Sequence, residues 1–157
     1  MRPEARLIGE GLTGASLCDQ HVRANRRRRS SPPVVVPDGR GCPEPELTRY
    51  RPSAHPGARL PHVWLPDGSS LYDLLDDWFT LLRLSARADP TPLVTAATAA
   101  GIPLHVVDLG RLPRLRVVCE ADLVLVRPDQ HVAWRGDVAA DPAEVWTRVI
   151  GGNQNPV

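Results

Sequence analysis

Several residue patterns in this sequence have the right types to do chemistry. Gly9-x-Gly11-x-x-Gly14 follows Leu7-Ile8, with Val34-Val35-Val36 and Asp38 further on. In that order a glycine-rich turn seats a pyrophosphate at a helix N-terminus and an acid binds a ribose. The leading strand has only two clear apolar residues, the chain then runs into Arg26-Arg27-Arg28-Arg29, and no further βα units complete a cofactor crevice. The pattern therefore reads as a chance match. His55, His62, His105 and His131 match no metal-ligand spacing, and Cys18, Cys42 and Cys119 include no C-x-x-C pair, so neither a metal site nor a disulfide framework is expected. The arginine run makes a local positive field, but no aromatic residues are interleaved for base stacking and Ser30-Ser31-Pro32-Pro33 follows, which reads as solvated chain rather than a nucleic-acid surface. Ser85 has no histidine placed nearby by sequence to act as its base. No catalytic, metal-binding or cofactor-binding residue is expected from these patterns.

The remaining candidates are residues for contact. Arg59, His62 and Trp64 lie between Pro56 and Leu65 and read as a docking strap, in which a guanidinium makes several directed hydrogen bonds and an indole fills a pocket. Packing of Trp64 on its own domain is the equal alternative. Trp134 and Arg135 fall on a strand expected at a sheet edge, where unpaired backbone groups make a usable interface, and where Arg127, His131 and Arg135 also serve as edge protection.

The elements that must position these residues centre on Leu123 to Gly136. Leu123 to Val126 is apolar at every position, as for a strand covered on both faces, and Val132 to Arg135 alternates, with Val132 and Trp134 facing opposite to Ala133 and Arg135. Pro128-Asp129 between them predicts a type I turn with Gln130 left-handed, where glycine is the easy choice. Upstream, Phe79 to Leu84 is a strand, Asp89-Pro90 or Thr91-Pro92 opens a helix ending at Gly101, and Pro103 to Asp108 is the next strand, together a right-handed parallel crossover. Residues 110–121 are ambiguous and read as a loop with one helical turn. Asp141, Pro142 and Glu144 predict a capped helix with Val145, Trp146, Val149 and Ile150 on one apolar face. Pro66-Asp67-Gly68 predicts a turn between Val63-Trp64-Leu65 and Ser70-Leu71-Tyr72, a small leading hairpin, with a helical turn from Asp73 to Trp78.

This order predicts an α/β, thioredoxin-like fold: a four-stranded mixed sheet with flanking helices and an N-terminal β-hairpin extension. Residues 1–57, rich in proline and arginine, are expected to be irregular, 58–152 to form the domain, and 153–157 a tail. The 157 residues suffice for one core, and a formal charge of +1 gives no global pull toward nucleic acid or anionic lipid. No segment reaches the roughly 20 apolar residues of a membrane span and the N-terminus lacks a signal-peptide run, so a cytoplasmic protein with reduced thiols is expected.

The stretch from Tyr50 through Leu65, then Asp67-Gly68-Ser69-Ser70-Leu71-Tyr72-Asp73-Leu74-Leu75, Phe79-Thr80-Leu81-Leu82-Arg83 and Leu123 to Gly136, resembles the C-terminal domain of FAD-dependent aromatic-ring hydroxylases, flavoprotein monooxygenases of the phenol hydroxylase and polyketide hydroxylase type. The resemblance spans roughly residues 30–152. It implies a thioredoxin-like third domain following FAD-binding and substrate domains, which handle flavin, NAD(P)H and the aromatic substrate. This chain has no counterpart of those two domains, and Gln130 stands where the hairpin turn favours glycine. The implied partner is the FAD-binding domain or chain of such a hydroxylase, or a second copy of this chain. Three readings follow: a detached, non-catalytic interdomain or dimerisation module; an accessory chain acting in trans with a separately encoded hydroxylase; and a thiol redox protein, for which Cys119 is the only core candidate.

Overall fold

The computed structural model describes residues 34–40 and 52–151. The strands are β1 (Phe79–Arg83), β2 (Leu104–Asp108), β3 (Leu123–Val126) and β4 (Val132–Gly136), and the helices are α1 (Thr91–Ala99), α2 (Pro113–Cys119) and α3 (Pro142–Val149). They form one mixed sheet in the order β2-β1-β3-β4, with β1 parallel to β2 and antiparallel to β3, and β3 antiparallel to β4. Phe79 pairs with Leu104 and Leu81 with Leu125, the neighbouring-strand arrangement expected of this sequence.

Both sheet faces are covered. Leu81, Leu123, Leu125, Ala133 and Trp134 pack with Leu93 and Ala97 of α1 and Val145, Trp146 and Val149 of α3. On the other face Leu82, Val124, Val126 and Val132 pack with Leu115 and Cys119 of α2 and with Leu60 and Leu71 of the leading segment. Trp146 ties the first layer together: its ring meets Phe79 edge-on at 5.3 Å and its Nε1–H donates to the Leu93 carbonyl at 2.9 Å. A buried indole thus keeps its one donor satisfied.

Four local expectations are corrected. Residues 113–119 form a helix, started by Pro113 in its first turn and stopped by Glu120 in the left-handed region at φ 54°. The leading hairpin reduces to one bridge between Trp64 and Ser70, because Ser70 and Asp73 exchange side-chain and backbone hydrogen bonds as a capping box and wind Leu71–Leu74 into a 3₁₀ turn. Asp141 caps α3 through the Glu144 amide, but the Glu144 carboxylate turns away to accept from Arg148 at 2.8 Å. Finally, β4 carries a bulge: Val126 pairs with Val132 but Leu125 with Trp134, so Ala133 is an extra residue. Val132 and Trp134 consequently enter different core layers instead of sharing a face. The turn before β4 is as expected, with Gln130 at φ 66° and its amide donating to the Arg127 carbonyl at 2.9 Å.

Candidate functional site

The two edges of the sheet are treated differently. The β4 edge is closed by the chain itself: the Val36 amide donates to Ala133 at 2.9 Å, Gly57 to Val132 at 2.7 Å, Val132 to Ala58 at 2.9 Å and Leu60 to Gln130 at 2.9 Å. Val35 and Ala54, in the stretch expected to be irregular, lack regular structure yet are buried.

This closure decides the fate of Trp134 and Arg135. Expected on an exposed edge, they are 7% and 5% exposed. Trp134 packs in the α1/α3 layer. Arg135 donates from Nε to Asp38 Oδ2 at 2.7 Å and from Nη1 to the Cys119 carbonyl at 3.0 Å. The same ion pair removes Asp38 as a ribose-binding acid. Burial raises the Asp38 carboxyl, but the Arg135 hydrogen bond, the Arg40 amide and the charges of Arg135 and His55 outweigh it and hold the group below the ordinary carboxylate range. The Gly9 to Gly14 pattern, the Arg26 to Arg29 run, Cys18, Cys42 and the 153–157 tail lie outside the described residues.

Arg59, His62 and Trp64, by contrast, are brought together, and Tyr72 joins them. The strap from Leu60 to Trp64 crosses the 3₁₀ turn, where the Tyr72 hydroxyl donates to the Leu60 carbonyl. His62 meets Trp64 edge-on at 4.8 Å and Tyr72 at 5.3 Å, and its Nε2 lies 3.0 Å from Ser70 Oγ. Arg59 lies 5.1 Å over the Tyr72 ring and donates to Gln130 Oε1 at 2.5 Å, a cation–π contact and a link to the β3–β4 turn. Trp64 nevertheless remains 50% exposed. The indole is thus met edge-on by His62 and otherwise left half open. Tyr72 was legible in the sequence only as a strand residue; the Ser70-x-x-Asp73 spacing was the signal that it sits on a turn facing the strap.

The end of the sheet where β1 and β2 finish carries a brace instead of reactive groups. Arg83 donates to the carbonyls of Ala88 at 2.8 Å and Ala86 at 2.5 Å and to Asp108 Oδ2 at 2.7 Å. Asp108 also accepts from the Gly110 amide at 2.9 Å; that bond, then the Arg83 contact, lowers its carboxyl below the usual range. Ser85 Oγ accepts from the Arg87 amide at 3.3 Å, which employs the hydroxyl in holding its own loop. Cys119 is buried, and burial pushes its thiol up to about 11, so almost none is thiolate near neutrality.

The histidines do not assemble. His55 lies between the Pro56 and Arg40 carbonyls at 2.9 Å each, His131 beside Asp129, His62 against Ser70, and His105 on β2. No cluster of three metal-ligating side chains occurs among the described residues, and none of their helices is long and apolar enough to cross a membrane.

Comparison with known proteins places this architecture. The family model described as "aromatic-ring hydroxylase, C-terminal" matches residues 53–152. The chain is 38% identical over 154 residues to tetracenomycin B2 monooxygenase-dioxygenase of Streptomyces olivaceus, covering 88% of this chain and 28% of that protein. It is 32% identical over 138 residues to phenol 2-monooxygenase of a Pseudomonas species, covering 76% and 23% respectively. Among solved structures, RebC with bound 7-carboxy-K252c superposes with a TM-score of 0.68 at 34% identity, over 79% of this chain and 23% of that one. The chain thus spans less than a third of the length of these relatives.

Proposed function

This chain belongs to the aromatic-ring hydroxylase C-terminal family, and from that premise we propose that it is a non-catalytic docking module for the flavin-handling part of an aromatic-ring monooxygenase. The observation that carries the reading is Trp64, half exposed yet held edge-on by His62, which Tyr72 backs in turn, with Arg59 over the Tyr72 ring. Interface hot spots are enriched in tryptophan, tyrosine and arginine seated in this manner. Arg59, His62 and Trp64 form the contact face; Trp134 and Arg135, inside the domain, hold the strand that supports it.

The relatives include proteins described as FAD-dependent monooxygenases. The described residues do not fit a flavin's diphosphate. The one acid once eligible for a ribose is paired with Arg135, and a groove of about 550 Å³ is lined by Asp73, Asp76, Asp77 and Asp108, which repel phosphate. No chemical step is therefore assigned to this chain. FAD, NAD(P)H and aromatic substrate belong to the partner polypeptide, or partner domain, that the Trp64 face meets.

The test is to mix the purified chain with the FAD- and substrate-binding portion of the Streptomyces olivaceus relative, prepared without its own C-terminal domain. A stable complex on size exclusion with an unchanged rate of NAD(P)H consumption is the expected result. A complex that raises the rate supports the second reading, an accessory chain acting in trans. Absence of any complex overturns both.

A further inference from the structure

The β2 edge is the opposite of the β4 edge: among the described residues nothing pairs with it. No residue of Leu104–Asp108 is fully buried, while β1 beside it and β3 beyond have buried interiors. Leu104-His-Val-Val carries no proline, lysine or bulge, the usual means of blunting an exposed strand. Alongside it runs a groove of about 550 Å³ between Asp73–Asp77 and His105–Asp108. It is lined by apolar Leu74, Leu75, Val106 and Val107 together with Asp73, Asp76, Asp77 and Asp108. Asp108 is matched by Arg83, whereas Asp76 and Asp77 form no ion pair among the described residues.

We propose that this edge receives an extended, arginine- or lysine-rich segment of a partner polypeptide as an added strand, independently of the Trp64 face. Strand addition supplies main-chain hydrogen bonds along β2, and the period of two along a strand turns one alternate set of side chains toward the groove and the other to the opposite face of the sheet. Charge selects the occupant. A second copy pairing through the same edge would offer this groove no arginine, since a two-fold contact repeats one patch on both sides and the patch holds four aspartates. A strand alternating apolar and basic residues can turn its whole basic set toward these aspartates.

The probe is an alternating Val-Arg hexapeptide titrated into the full chain, with hydrogen exchange read at the β2 amides. Expected are saturable, salt-sensitive binding, slowed exchange at His105 to Val107, and about tenfold weaker binding to an Asp76→Asn/Asp77→Asn variant that keeps its thermal midpoint. A Val-Arg peptide N-methylated on alternate amides keeps its charge and loses the ladder; it must bind at least tenfold more weakly. Equal binding of the methylated peptide, or of an alternating Val-Glu peptide, overturns the proposal. So does binding that appears only after Arg26–Arg29 are replaced by serine, because the edge is then filled by the chain's own basic run and not by a partner.

Discussion

Asp38 and Arg135 are 97 residues apart in sequence and meet at 2.7 Å inside the protein, joining the segment before the domain to the last strand of its sheet. Their side chains are 9% and 4% exposed, so the pair is largely shielded from water, with Glu120 at 3.6 Å from Arg135 and His55 at 3.8 Å from Asp38 as more distant partners. Removing one partner of such a pair strands the other, a loss of about 3–5 kcal/mol. Asp38→Asn and Arg135→Ala should each lower the urea midpoint accordingly, and the double variant should cost less than the sum of the two. Strict additivity would show that the pair is not coupled.

The same pair sets a pH dependence. The Asp38 carboxyl is held below its ordinary value in the folded chain, so its contribution is complete above the unfolded carboxylate pKa of about 3.9 and is lost as pH falls through the lower, folded value. Thermal stability of the natural chain should therefore fall more steeply below about pH 4 than that of Asp38→Asn. Parallel profiles would locate the acid sensitivity elsewhere.

Gly110 is fixed by a close approach of two loops at the end of the sheet. A Cβ there would lie 2.9 Å from the Ala86 nitrogen and 3.2 Å from the Ser85 carbonyl carbon, both backbone, and 3.1 Å from Asp108 Oδ1. Gly110→Ala should destabilise by about 1–3 kcal/mol and speed amide exchange at 86–88, the loop braced by Arg83. An unchanged denaturation midpoint would mean that the loops separate freely.

Gln130 occupies the left-handed position at φ 66° and also accepts from Arg59. Relief of the backbone strain and loss of that bond act in opposite directions, so the glycine effect is cleanest without the arginine. In an Arg59→Ala background, Gln130→Gly should raise stability by about 0.5–1 kcal/mol, and in the natural chain by less. Equal gains in both backgrounds would show that the Arg59 contact contributes nothing.

A thiol redox role requires a thiolate, and Cys119 is placed to prevent one. With Cys18 and Cys42 replaced by serine, the remaining thiol should resist a disulfide reagent at pH 8 until denaturant is added. Rapid labelling of the folded chain would restore the redox reading.

The parts of this structure legible in the sequence are those whose signals agree with one another. Asp141, Pro142 and the Val145, Trp146 and Val149 spacing all specify α3, and all three apolar residues are buried; Ile150, counted on the same face, falls past the helix end and is 54% exposed. The strands β1 to β3 were legible from apolar runs bounded by prolines and turns, and with them the mixed sheet. Helix α2 was not, because its seven residues give barely two turns of periodicity and it ends on Glu120 where a glycine would mark the stop. The burial of Trp134 and Arg135 was not legible either. It depends on residues 34–40 and 52–60 folding back over β4 through backbone hydrogen bonds, which leave no pattern in side-chain types. Arg59, His62 and Trp64 stood out by residue type, but that they converge with Tyr72 depended on a 3₁₀ turn mistaken for a strand.

The central claim is that Trp64 anchors this domain to a flavoprotein partner, and calorimetric titration of the chain and of Trp64→Ala into the FAD- and substrate-binding portion of the Streptomyces olivaceus relative tests it most directly. The account predicts that truncating the half-exposed indole weakens binding by at least tenfold while the thermal midpoint of the free chain stays unchanged. Equal affinity of the two proteins, or a loss of affinity matched by a loss of folding stability, would contradict it.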